Sequence, residues 1–450
     1  WWRPAMRSLV LINDRFGACP LYVGRSASGL AFGGGVRGVL VAPGIDATPD
    51  LDAIREAVTF GGYRLGSRTN VRGVQMLPPA VCATVSSTDI SLRRYWTWQE
   101  LPAEQTGDRA TLLDETREAW RDAVRQRLGG ATRPGLTLSG GLDSRAVMAE
   151  MVSQTTGVTA LTYGVGRSDD VRLARRAAAA AGARWAWHGL YETGWLERRL
   201  DRVMDTDGLM DLVDLMHTEA LPGMPELFDV YLSGYVGDAV TGATFLPITD
   251  AETLMRSMPY YGGTLALPYG QARERVTAAL DAGVGSLRHA PYELKMPQAI
   301  SRITAAARPY VTVRRPFVAY RFFELAQRIP AAWKAGHRWH YDWLRSTYPA
   351  LFARIPQQRT GVPVGSSQLR WQVTRTTRFV WRRGLSHLAR LGVPVEPVHR
   401  TYHPDEPHWS QPAIRRVIED TILRSDSLAC DAFGREAVTS VLTDFFDRGT

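Results

Sequence analysis

Apolar positions change their period along the chain, and the changes mark out three regions. Residues 6–97 carry short apolar runs broken by turn residues. Ser8 to Asn13 reads as a strand. Leu21 to Val23 and Leu30 to Phe32 flank Ser26-Ala27-Ser28-Gly29 as a hairpin, and Val81 to Val85 and Leu92 to Trp96 pair across Ser86-Ser87-Thr88-Asp89. The pattern predicts an α+β or mainly β unit.

Residues 98–108, with Pro102 and Gly107, read as a polar linker. After it, Leu112, Leu113, Thr116, Ala119, Trp120, Ala123, Val124 and Leu128 recur at helical spacing until Gly129-Gly130. Strand and helix then alternate: strand 135–138, helix 142–153, strand 158–163, helix 170–181 ended by Gly182, and a later strand from Val230 to Leu232. This alternation predicts a parallel sheet with helices on both faces. From about residue 270 the helical period dominates. Within 370–390, Arg370, Arg375, Arg378, Arg382, Arg383 and Arg390 stand among Trp371, Val373, Phe379, Val380, Trp381 and Leu385. This stretch reads as a surface helix with an apolar inner face, with a partner- or membrane-facing role as the alternative.

A chain of 450 residues accommodates roughly two or three domains with their own cores. Its 45% hydrophobic and 22% charged content is that of a globular protein. There is no run of eighteen apolar residues and no signal-peptide pattern at Trp1-Trp2-Arg3-Pro4. Cys19, Cys82 and Cys430 are scattered, without metal-ligand spacing or a disulfide framework, and a cytoplasmic location is expected. The net charge of +9 is carried by arginine, since Lys295 and Lys334 are the only lysines. It is explained by an arginine-rich codon bias or by attraction to anionic ligands. Basic and acidic residues interleave, so neither nucleic acid nor membrane is expected as a partner.

The most informative stretch is Leu136-Thr137-Leu138-Ser139-Gly140-Gly141-Leu142-Asp143-Ser144. A strand, a glycine turn and a helix N-terminus together form an anion site. Paired glycines let the backbone approach an oxyanion, the hydroxyls of Ser139 and Ser144 add donors, and Asp143 suits a Mg²⁺ riding on phosphate. No Gly-Lys-Ser/Thr follows, which excludes the P-loop of NTPases. The string resembles the pyrophosphate loop of enzymes that split ATP into AMP and pyrophosphate.

Further motifs follow in order. Asn13-Asp14-Arg15-Phe16-Gly17 precedes Pro20-Leu21-Tyr22. Phe60-Gly61, Gly73-Val74, Leu77-Pro78-Pro79 and Arg94-Tyr95-Trp96 complete the first region. Ser233-Gly234-Tyr235-Val236-Gly237-Asp238, Arg315-Pro316-Phe317, Ile329-Pro330, Ile355-Pro356, Arg359, Gly361 and Pro363 come later. The series resembles the asparagine synthetase family, with its β-lactam synthetase and lasso-peptide cyclase relatives, over nearly the whole chain. The resemblance implies a glutamine amidotransferase-like α+β domain at 1–98, and a synthetase domain at 108–450. The latter is a pyrophosphate-loop ATPase-like parallel α/β unit with a mainly helical C-terminal part.

The resemblance also implies chemistry. In the family a carboxylate is activated with ATP and Mg²⁺ as an acyl-adenylate, and an amine then expels AMP. Asp143 and Asp238 match the metal-binding aspartates. Thr137, Leu138, Ser139, Gly140, Gly141, Asp143, Ser144, Tyr163, Ser233 and Gly234 match the nucleotide-binding positions. Asp14 is the remnant of the glutamine site. The expected partners are a small-molecule or peptide carboxylate and an amine or ammonia donor, with a homodimer left open.

Three departures from the family pattern stand out. Residue 1 is Trp, where the glutaminase carries its cysteine nucleophile, so the first domain is expected to be incomplete, as a fragment or a degenerate domain. Arg359 stands where a lysine is frequent; it keeps the charge but does not readily release a proton, which suits an electrostatic role. Tyr235 stands where asparagine synthetases carry Glu. In β-lactam synthetases a Tyr there works with a Glu as base; Glu252 and Glu274 are candidates here, and the alternative is that Tyr235 packs beside the nucleotide. Arg359 and Tyr235 are the candidate catalytic residues.

The reading is an ATP-dependent amide ligase, with asparagine synthesis from aspartate as the default. A specialised lasso-peptide or β-lactam type cyclase is the alternative, and a non-catalytic nucleotide-binding remnant or another pyrophosphate-loop enzyme stands behind it. Arg359 is expected in the cleft of Ser139, Asp143 and Asp238 because triphosphate needs a fixed cation and no lysine occupies a motif position.

Overall fold

Short alternating runs in the first region close into two antiparallel sheets. A computed structural model of the chain describes all residues except 87–89, 106, 167, 191–194, 213, 243–247, 284–286, 391–411 and 449–450. One sheet has the order β1 (Trp2–Arg3), β2 (Ser8–Ile12), β6 (Val81–Val85), β7 (Ile90–Arg94). The other has the order β4 (Gly29–Gly33), β3 (Tyr22–Ser26), β5 (Gln75–Met76). In β6 the inward set Val81, Ala83 and Val85 is buried while the alternate residues are not, the signature of a half-buried strand. The expected hairpin is β3 against β4. Helices Val36–Leu40 and Leu51–Thr59, the second capped by the Asp50 carboxylate, make the unit α+β.

The second strand pair differs from expectation at its far end. β7 stops at Arg94, and the residues expected to turn it, Ser87 to Asp89, lie outside the described set. Tyr95 and Trp96 leave the sheet; Trp96 packs edge-on against Phe16 and Trp98. The polar linker also begins differently. Thr97 and Glu100 form a capping box around a 3₁₀ turn, Trp98–Glu100. Trp98 is buried, stacked against the rings of His289 and Tyr292 and tilted against that of Phe16. Polar neighbours masked an aromatic anchor, through which the first unit shares the main core of the second.

Asp108 caps the helix Arg109–Leu128, which buries Leu112, Thr116, Ala119, Trp120, Ala123 and Val124. Beyond it lies a parallel sheet, in the order β10 (Arg184–Gly189), β9 (Thr159–Gly164), β8 (Pro134–Thr137), β11 (Val230–Leu232), β12 (Thr312–Arg314). The chain runs from β8 to β9 and β10 on one side and to β11 and β12 on the other. β8 is thus the switch point at which such sheets open a crevice beyond their carboxyl ends. The helices Asp143–Gln154 and Asp169–Ala181 follow β8 and β9, the second stopped by Gly182 in the left-handed conformation at φ 73°.

The two outermost strands were not expected. β10, Arg-Trp-Ala-Trp-His-Gly, and β12, Thr-Val-Arg, are edge strands with partly exposed faces, so neither carries the continuous apolar run of a buried strand. The remainder is helical. Helix Gln368–Arg390 does not bury an apolar face among the described residues: Leu369, Val373, Phe379, Val380 and Trp381 are all more than half exposed. No described helix is long and apolar enough to cross a membrane.

Candidate active site

β8 ends at Thr137, and the next residues turn over the switch point. Leu138 is still held by the sheet, its N–H donating to Leu161 O and its carbonyl accepting from the Thr162 hydroxyl. The Ser139–Gly141 turn is then wired internally. Ser139 N–H donates to Ser144 Oγ at 3.2 Å, Gly141 N–H to Ser139 Oγ at 3.2 Å, and Gly140 N–H to Asp170 Oδ1 at 2.8 Å. The loop amides therefore face one another's hydroxyls and a carboxylate, and an oxyanion entering the turn must displace these partners. Gly140 has no room for a side chain, because a Cβ would lie 2.9 Å from both Asp170 Oδ1 and Gln358 Cβ.

One buried cation fastens this turn to the far end of the chain. Arg145, fully buried on helix Asp143–Gln154, donates to Gly140 O at 3.0 Å, Ile355 O at 3.1 Å and Pro356 O at 3.0 Å. Burial, with Arg176 nearby, pushes its guanidinium down to about 10. The Gln358 N–H adds a 3.1 Å bond to the same Gly140 carbonyl. Arg359, the next residue, is thereby carried to the loop.

The second loop leaves β11, the neighbour of β8. Ser233 Oγ accepts Tyr235 N–H at 3.3 Å, and Val236 sits at φ 67°, an unusual place for a β-branched residue. The two acidic loops touch directly. Asp238 N–H donates to Asp143 Oδ2 at 2.9 Å. Glycine is required at the contact: a Cβ on Gly237 would stand 2.5 Å from Asp143 Cγ, and one on Gly234 2.6 Å from Ser144 N.

These loops rim a cleft of about 630 Å³, within the range of small-molecule sites. Thr137, Leu138, Ser139, Gly141, Asp143, Ser144, Tyr163, Ser233, Gly234, Tyr235, Asp238 and Arg359 all line it. Gly140 lies behind the wall. Asp14 is elsewhere: its carboxylate closes its own turn, accepting the N–H groups of Phe16 and Ala18 at 3.0 Å and of Cys19 at 2.8 Å. Neither Glu252 nor Glu274 reaches the cleft lining; Glu252 accepts from Tyr269 and pairs with Arg256. Arg315 is buried below the cleft, donating to Ile300 O at 3.0 Å, with Tyr235, Asp14 and Cys19 within electrostatic reach.

Several lining residues escaped the sequence reading. His337 and His340 flank the two aspartates, and His340 Nε2 stands 3.3 Å from Asp143 Oδ1. Lys295, which stands in no motif, and Arg302 line the cleft with Arg359, so Arg359 is not its sole cation. Tyr63 arrives from the first unit, where Arg302 stacks on its ring. None of these stands in a recognisable local motif; His340, Lys295 and Arg302 are brought in by the packing of helical segments, and Tyr63 by the segment after helix Leu51–Thr59.

Comparison with known families decides the assignment. The asparagine synthase family model matches residues 115–348, just over half the chain, and a glutamine amidotransferase domain model matches residues 1–96. The chain belongs to the asparagine synthase family. A stretch of 148 residues is 27% identical to asparagine synthetase [glutamine-hydrolyzing] 3 of Bacillus subtilis (strain 168), covering 33% of this chain and 24% of that protein. The chain thus spans about a quarter of the length of the curated relative it matches.

In this asparagine synthase family member the donor set fits a hard, phosphate-borne cation. Two carboxylates from neighbouring loops face one cleft, and among the described residues no cluster of three or more His, Cys, Asp and Glu forms a closed metal cage. Mg²⁺ is held in this manner, through one or two carboxylates with the remaining positions left to water and phosphate.

Proposed function

We propose that this chain is an ATP-dependent, AMP- and pyrophosphate-forming amide ligase, with aspartate as the first carboxylate to test and asparagine as the corresponding product. The observation that carries the reading is the convergence of the Ser139–Ser144 loop, Asp238 and Arg359 on one cleft at the sheet's switch point. The cleft holds anion donors, carboxylates and a cation together, as transfer at an α-phosphorus requires.

The nucleotide is proposed to lie across the carboxyl ends of β8 and β11, its base against Leu138, Tyr163 and Gly234 and its phosphates over Ser139, Gly141 and Ser144. Asp143 and Asp238 would hold Mg²⁺, which supplies charge neutralisation at the phosphates. Arg359 stabilises the charge that builds as the carboxylate oxygen attacks the α-phosphorus and pyrophosphate leaves. An amine then attacks the acyl carbon, AMP departs, and the amine's proton must be removed. Tyr235, about two-fifths exposed in the cleft and within electrostatic reach of Arg315, is the residue proposed to receive it.

The test is substrate-dependent ATP–pyrophosphate exchange across a panel of carboxylates beginning with aspartate. Exchange that needs both a carboxylate and Mg²⁺ supports the reading; absence of exchange throughout the panel, with ATP converted to ADP, refutes it.

A further inference from the structure

His340 occupies a position the proposed chemistry does not use. It lies on helix Arg338–Thr347, is 1% exposed, and its ring meets Trp343 edge-on. Nδ1 stands 2.6 Å from the Thr241 hydroxyl. That hydroxyl is also 2.9 Å from the Gly237 carbonyl. On the other side Nε2 stands 3.3 Å from Asp143 Oδ1, outside hydrogen-bond alignment, and has no other partner among the described residues. A buried ring nitrogen therefore points at the carboxylate of the first loop.

Proton counting orders this chain. A hydroxyl has one proton to donate. When Thr241 turns it from the Gly237 carbonyl to Nδ1, an imidazole with one ring hydrogen carries it on Nε2, directed at Asp143. If Thr241 gave it to Gly237 instead, the neutral ring would turn a lone pair towards a carboxylate oxygen. Thr241 sits one turn after Asp238, so the relay starts on the second acidic loop and ends on the first. Asp143 is thus approached from both sides, Oδ2 accepting the Asp238 N–H at 2.9 Å and Oδ1 facing His340 Nε2 at 3.3 Å.

We propose that His340 is a positioning residue that, together with Thr241, fixes the Asp143 carboxylate for the divalent cation carried by ATP. The inference rests on the functional reading above. Groups that orient a metal-ligating carboxylate typically contribute about 10–100-fold to metal affinity. His340 acts through Asp143 and touches no reacting atom.

The experiment is equilibrium binding to the purified chain of Mn²⁺–ATP, followed by the electron paramagnetic resonance of bound Mn²⁺, and of AMP without metal, followed by calorimetry. Expected for His340→Ala is about 10–100-fold weaker Mn²⁺–ATP binding with AMP binding within about twofold of wild type. His340→Gln, whose amide can still donate towards Asp143, restores most of the loss, and Thr241→Val falls between. Three results overturn the inference: Mn²⁺–ATP binding by His340→Ala at wild-type strength, equal loss of metal-free AMP binding, or His340→Gln no better than Ala. If the wild-type chain binds AMP but takes up Mn²⁺ no better with ATP than without, the metal assignment of the functional reading fails first, and this inference with it.

Discussion

Asp143 and Asp238, ninety-five residues apart, are joined by a hydrogen bond, the Asp238 N–H donating to Asp143 Oδ2 at 2.9 Å. The bond follows from topology. β8 and β11 are adjacent parallel strands, so the turns beyond their carboxyl ends must meet. Gly234 and Gly237 let them meet closely.

Asp143→Ala and Asp238→Ala are expected to lower ATP–pyrophosphate exchange at least about 100-fold, the scale of losing one electrostatic partner of a transition state. Gly237→Ala should act in the same direction, because its Cβ would lie 2.5 Å from Asp143 Cγ. Circular dichroism should show the fold retained in both aspartate variants. Wild-type exchange in either would remove the metal-binding assignment.

Arg359→Ala should lower kcat for exchange by about 10²–10³-fold, with a shift in the urea midpoint much smaller than that of a core substitution. Arg359→Lys should recover most of the activity, since the role is charge at a fixed place. Steady-state kinetics on the pair decides it: a lysine variant as impaired as the alanine variant would require bidentate geometry rather than charge.

Arg145→Met should destabilise the chain by about 3 kcal/mol, because it strands the carbonyls of Ile355 and Pro356 and takes from Gly140 O one of its two donors. Urea unfolding measures the loss. The same variant should weaken ATP binding even with Arg359 intact, since the clamp carries Arg359 to the loop. A variant of unchanged stability would show that the clamp is dispensable.

His289 links stability to pH. It is 6% exposed, it stacks on Trp98, and burial, followed by Arg288 and Lys334, pushes its imidazole down to about 4. In the unfolded chain it titrates near 6.5. Between these values the unfolded state binds more protons, so stability rises with pH there and is lost as pH falls from about 6.5 to about 4. The full effect is about 3 kcal/mol, from 1.36 kcal/mol per pKa unit. His289→Phe should flatten the slope of urea midpoint against pH in that window. An unchanged slope would assign the acid sensitivity to other groups.

Local pattern made β8, its glycine turn and the helix after it legible, because a buried central strand, a turn and a helix start each leave a short-range mark. Asp238 was legible through the resemblance of Ser233-Gly234-Tyr235-Val236-Gly237-Asp238 to the family's second loop. Arg145 was not: its position reads as an ordinary helix residue, and its partners Leu351 to Pro356 lie more than two hundred residues away. His340, Lys295 and Arg302 were hidden likewise, since helix packing places them. Trp98 was misread as linker because a buried aromatic in a polar stretch leaves no periodic signal. Tyr235 was legible as a cleft residue, but the carboxylates considered for it, Glu252 and Glu274, lie away from the cleft lining.

The most direct test of the account is the fate of ATP's phosphates. The chain is incubated with ATP, Mg²⁺, L-aspartate labelled with ¹⁸O in its side-chain carboxylate, and ammonia or hydroxylamine as the amine, and the products are followed by ³¹P NMR. The account predicts AMP and pyrophosphate in equal amounts, with one ¹⁸O transferred into AMP and no turnover by Asp143→Ala. Formation of ADP and phosphate, with the label in the phosphate or not, or of AMP without the label, would contradict it.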